Sequence, residues 1–184
     1  MKLTRFLIQN AETDEPVWLT VFTFDHRDLV NDIRAAQERG VQVTIISDLR
    51  QAYGHSLCKH QFESLLACQE AGASIYVMHG EVAESYGLDS PGEPMARTGI
   101  QHAKCLLCGT FAIVGSANYS TASLRNCDIS VFLRLGPPGL ASLIKRMKCM
   151  RMNAEEFDRR KRYPHTVRST QKMKYKYDET QIIF

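Results

Sequence analysis

The chain has 184 residues, 44% hydrophobic and 23% charged, with a formal net charge of +3. That length suits one domain with a real core, and the composition excludes fibrous and disordered classes. No apolar run approaches the roughly 18 residues of a membrane span, and no charged start leads into a secretory leader.

Residues 2–11 carry the pattern of a short amphipathic helix, broken at Asp14-Glu15-Pro16. Residues 17–24, VWLTVFTF, are β-branched, aromatic and apolar on both faces, which predicts a central strand. Asp25 is the expected N-cap of a helix that buries Leu29, Ile33 and Ala36 and stops at Gly40. Residues 41–48 predict a strand, 57–72 a helix ending at Gly72, and 73–79 a third strand. This rhythm predicts βαβ units with right-handed crossovers. The fold class is therefore α/β, a mixed, largely parallel sheet with helices on both faces.

The periodicity stops at residues 80–99, which read as a long loop. Such loops are either functional lids or tolerated insertions. Residues 101–108 and 111–116 then predict a hairpin turning at Gly109-Thr110, followed by a turn and short helix over 118–126 and a strand over 127–135. Gly136-Pro137-Pro138-Gly139 interrupts the chain, and a basic helix is expected over 139–161. The domain is expected to span 1–162, with a basic tail over 163–184. The excess of Lys and Arg from Lys145 to Lys176 suits phosphate binding or a solvated helix face.

Six cysteines (58, 68, 105, 108, 127 and 149) follow no disulfide framework, which implies free thiols and an intracellular, reducing compartment, cytoplasmic or organelle-associated. Cys105 and Cys108 form a CxxC. On a strand their sulfurs point to opposite faces and do not share a metal ion. Cys58 and Cys68 read as buried thiols rather than ligands with His60.

His102 and Lys104 stand two apart at the head of the hairpin. On a strand they share one face, at a natural cleft rim. Lysine is seldom buried unless paired. A neutral imidazole attacks phosphorus, and an imidazolium protonates a leaving oxygen. A lysine ammonium neutralises the phosphoryl oxygens in the transition state. Gly115-Ser116-Ala117-Asn118 adds a hydroxyl, an amide and close backbone. Asp128 is the candidate carboxylate to set the imidazole tautomer.

This combination resembles the phospholipase D superfamily, whose signature is HxK, four residues, Asp, then GSxN. Here it reads His102-Ala103-Lys104, four residues, Gly109, then Gly115-Ser116-Ala117-Asn118. The strand-helix-strand over 19–48 is similar to the family's opening, and Asn126-Cys127-Asp128 is similar to its Asn-x-Glu segment. The resemblance covers about residues 17–150 and looks closest to the small single-motif branch of bacterial nucleases and Zucchini-like mitochondrial cardiolipin hydrolase endonucleases.

The resemblance implies a metal-independent phosphodiesterase with no cofactor. Its catalytic residues would be His102, Lys104, Asn118 and Asp128, with Ser116 binding substrate. Because the family's site holds two HxK motifs, it also implies a homodimer through the His102 face. One His102 would form a phosphohistidine while the other protonates the leaving group. Gly109 departs from the motif aspartate, Asp128 is one methylene shorter than glutamate, and the family's first strand is missing. Three readings follow: an endonuclease acting on DNA or RNA, a phospholipid or cardiolipin hydrolase at a membrane, and a non-catalytic nucleic-acid-binding member.

Overall fold

The computed structural model describes residues 1–54, 60–80 and 100–161. Residues 81–99 of the expected 80–99 loop, the start of the 57–72 helix with Cys58, and the 163–184 tail lie outside the described residues.

The chain order is α1 (Lys2–Gln9), β1 (Val17–Val21), α2 (Arg27–Glu38), β2 (Val43–Asp48), α3 (Leu49–Tyr53), α4 (Gln61–Glu70) and β3 (Ser74–Met78). Then come β4 (Cys105–Cys108), β5 (Phe111–Gly115), β6 (Ser130–Arg134), α5 (Pro137–Met152) and β7 (Glu155–Glu156). Among the described residues the strands form one sheet in the order β6-β5-β4-β1-β2-β3-β7. The sheet is mixed, as expected. Its βαβ half pairs in parallel, β1 with β2 and β2 with β3. The remaining pairings are antiparallel, beginning with β4 on β1.

Helices cover both faces. On one, Leu7 and Ile8 of α1, Leu29 and Ile33 of α2, and Leu65 of α4 pack on Leu19, Ile45 and Leu106. On the other, Met147 of α5 packs on Trp18, Ile46, Cys105, Leu107 and Ala112. The two CxxC thiols divide between these layers as the strand period requires: Cys105 in one and Cys108 in the other. Burial raises both to about 11, so neither ionises near neutral pH.

Several boundaries differ from the sequence reading. The N-cap of α2 is His26, whose Nδ1 accepts from Leu29 N at 3.3 Å. Asp25 instead accepts from Thr121 N at 2.7 Å, tying the start of α2 to the chain beyond Asn118. The basic helix ends at Met152, because the next residues form β7 on the far edge and return Phe157 to the core. The short α3, capped by Asp48, has no apolar periodicity to announce it.

Gln61 is fully buried at the first turn of α4. Its Nε2 donates to Phe22 O at 3.0 Å and Ser47 Oγ at 2.9 Å, and its Oε1 accepts from Phe24 N at 3.0 Å. One side chain thereby holds the ends of β1 and β2 together, and it leaves no polar group of its own unmet. Replacing Gln61 with Leu keeps the volume but orphans these partners. Urea unfolding is expected to show a loss of about 3 kcal/mol.

Candidate active site

The site forms where β1, β4 and the end of β5 meet. The β4 ladder starts at Cys105, whose N–H is taken by Thr20 Oγ1 at 3.0 Å. His102 and Lys104 therefore precede the strand rather than lie on it, and they do not share a strand face. His102 is exposed, while Lys104 is only 5% exposed.

Lys104 turns back so that Nζ donates to His102 O at 2.7 Å and sits 5.1 Å from the centre of the Phe22 ring. The His102 ring meets the same Phe22 edge-on, with centroids 4.7 Å apart. Phe22 thus separates and orients the two motif side chains. Burial pushes the Lys104 ammonium down to about 8, against an opposing pull from Asp128. Burial, and then the Lys104 charge, hold the His102 imidazole below its ordinary value, with Asp48 acting the other way. Both shifts weaken proton binding, favouring a neutral imidazole beside a lysine whose charge is more easily lost than usual.

The GSxN segment closes the site. A Cβ at Gly115 would strike Ile129 O and Ser130 Oγ, so only glycine allows this approach of β5 to β6. Asn118 Oδ1 accepts from Thr23 N at 3.4 Å, leaving the amide nitrogen to donate elsewhere. Ser116 Oγ donates to Asp128 Oδ1 at 2.8 Å. Lys104, Asn118 and Asp128 line one cavity of about 360 Å³, walled by Met1, Leu3 and Phe132. Asp128 Oδ2 is buried and has no hydrogen-bond partner among the described residues. Lys104, Asn118, Ser116 and Asp128 therefore come together, with His102 against Phe22 beside Lys104. The expected bond from Asp128 to His102 is absent among the described residues: Asp128 is engaged by Ser116. Among the described residues, no cluster of three or more His, Cys, Asp or Glu is placed to hold a metal ion.

The sequence matches the family described as "Cardiolipin synthase, PLD-like domain" over residues 5–146. The chain belongs to the phospholipase D superfamily. A search of curated proteins gives no significant match. The structure is similar to NucT from Helicobacter pylori, with TM-score 0.67 and 18% identity over 85% of this chain and 89% of that one. It is similar to Nuc from Salmonella typhimurium, a phospholipase D family member, with TM-score 0.65 and 20% identity over 85% and 89%. It also resembles phosphatidylserine synthase from Haemophilus influenzae, with TM-score 0.57 and 12% identity over 85% and 36%. At these identities the likeness establishes the fold alone.

Phe22, Asp48 and Gln61 were not singled out by sequence reasoning. For Phe22 and Asp48 the available signal was positional: each stands at or beside the C-terminal end of a parallel strand, where open α/β sheets place their ligands, whereas Gln61 opens α4 and carries no such signal.

The departure at Gly109 has a local cause. Gly109 has φ +55, and a Cβ there would lie 2.8 Å from Glu15 Cδ, with Oε1 in harder contact still. Glu15, just ahead of β1, brings its carboxylate to the turn where relatives carry aspartate. Gly109→Asp should therefore lower stability by about 1–2 kcal/mol through crowding and carboxylate repulsion. Most of that loss should vanish in a Glu15→Ala background, read as the coupling in a double-mutant thermal unfolding cycle.

Proposed function

We propose that this chain is a metal-independent phosphodiesterase that cleaves nucleic-acid phosphodiester bonds at a homodimeric site. The observation that carries the reading is the buried Lys104 ammonium, which lines one cavity with Asn118 and shares the Phe22 ring with an exposed, neutral-leaning His102. Lys104 and the Asn118 amide hold the phosphoryl oxygens. Nε2 of one His102 attacks phosphorus as the P–O bond to the leaving oxygen breaks. The partner subunit's His102 donates its proton to that oxygen, then takes one from the water that hydrolyses the phosphohistidine. The two imidazoles titrate as a coupled pair, one neutral and one charged.

A second copy is supported by the β6 edge. Val131 is 52% exposed and faces its cross-strand partner Val114, 42% exposed, while neighbouring Ile129 is 78% exposed. This apolar strip adjoins Ser116 and Asp128, and an open strand edge seeks a partner. The basic residues Lys145, Lys148 and Arg151, exposed along α5, favour a polyanion, for which binding should weaken steeply with salt. One observation favours a phospholipid diester instead: the cavity wall carries Met1, Leu3, Ile113, Leu124 and Phe132.

Single-stranded and double-stranded DNA, RNA, and cardiolipin vesicles, each assayed in EDTA, separate these readings. Nucleic acid is expected to be cleaved, and His102→Ala should reduce the rate by about 10³-fold or more. Cleavage only of vesicles would select the lipid reading. Salt-dependent binding with no cleavage of any substrate would select the non-catalytic one. In His102→Ala, affinity for a phosphorothioate dinucleotide should fall as pH rises through about 8, where Lys104 loses its proton. Adding Lys104→Arg should remove that dependence, because guanidinium stays charged. Val131→Lys should shift the protein to monomer in light scattering and abolish turnover with it.

A further inference from the structure

We propose that Asp48 is the positioning residue of His102, the part the sequence assigns to Asp128. The inference rests on the reading of His102 as the nucleophile.

Asp48 closes β2 and is fully buried. Its Oδ1 accepts from Gln51 N at 3.0 Å, capping α3. Its Oδ2 accepts from Gln101 N at 3.0 Å. The Gln101 side chain also reaches β2, with Nε2 3.5 Å from Ile46 O. The residue immediately before His102 is thus fastened to β2 at both backbone and side chain. A hydrogen bond to an ionised carboxylate is short and strong, and here water does not compete for it. His102 itself is exposed, and no hydrogen bond holds its ring among the described residues. Its placement comes from this anchor on one side and Phe22 on the other.

The electrostatics agree with the geometry. The charged groups acting on His102 are Lys104, which lowers its pKa, and Asp48, which raises it. The β1 neighbour Phe22 is uncharged, and Asp128 acts on Lys104 rather than on His102. Asp48 therefore fixes where His102 stands and keeps its proton affinity from falling further.

Two variants divide the roles. Asp48→Asn keeps the shape, removes the charge and satisfies only one of the two N–H groups. Asp48→Ser still caps α3 but falls short of Gln101. Each should lower kcat by about 10²-fold with KM little changed, since the phosphate ligands stay in place. In Asp48→Asn the His102 titration, followed by its ring proton NMR shift, should move to lower pH. The acid limb of the pH–rate profile should move the same way. Folded variants with full activity and an unmoved His102 titration would overturn the proposal. Should neither variant fold, amide exchange in the unmodified protein decides: strong protection of Gln101 N–H is expected, and exchange as fast as in an exposed segment overturns it. If the unmodified protein cleaves no diester, the proposed function fails, while the titration and exchange still test Asp48.

Discussion

A lysine ammonium only 5% exposed, with no carboxylate in hydrogen-bond contact among the described residues, is the constraint around which the site is built. An isolated buried charge is costly, and a group in that position lowers its pKa or finds compensation. Lys104 does both. It holds the His102 carbonyl and lies by the Phe22 ring, and its affinity for a proton falls. Under the proposed function, a diester phosphate would supply the missing counter-charge. The clamp formed by Gln61 holds the Phe22 segment in place, and the Thr20–Cys105 bond sets where β4 begins.

The parallel half of the fold is legible in the sequence because strand and helix periods differ so plainly. VWLTVFTF, the Leu29/Ile33/Ala36 stripe and the Gly40 and Gly72 stops each mark their element locally. The hairpin and the opposite facing of Cys105 and Cys108 follow from the period of two. The residues His102, Lys104, Ser116, Asn118 and Asp128 were readable as a set, but their pairings were not. The tie that anchors the residue before His102 joins the Asp48 carboxylate to the Gln101 backbone N–H, 53 residues apart, and no local pattern connects them. Alternation over 127–135 likewise gives no sign that β6 is an edge strand exposed on both faces. Edge position is a property of the whole sheet.

At Gly109 the motif aspartate is gone, yet a carboxylate still stands at the turn. The turn adopts a left-handed backbone, and the space beside it is taken by a carboxylate from the segment ahead of β1. Asp48, at the end of β2, likewise brings a carboxylate's charge to bear on His102 from a distant part of the chain.

The helix α5 joins β6 at one edge of the sheet to β7 at the other. Among the described residues it is the helix that covers the face bearing Trp18, Ile46 and Leu107. A chain emerging from the ribosome completes the α1, α2 and α4 layer first and must wait for α5 to cover the second. During that interval the sheet offers a broad apolar face to the cell, a natural target for a chaperone and a point of vulnerability to aggregation. Truncation within α5 would therefore be felt less as lost activity than as lost yield.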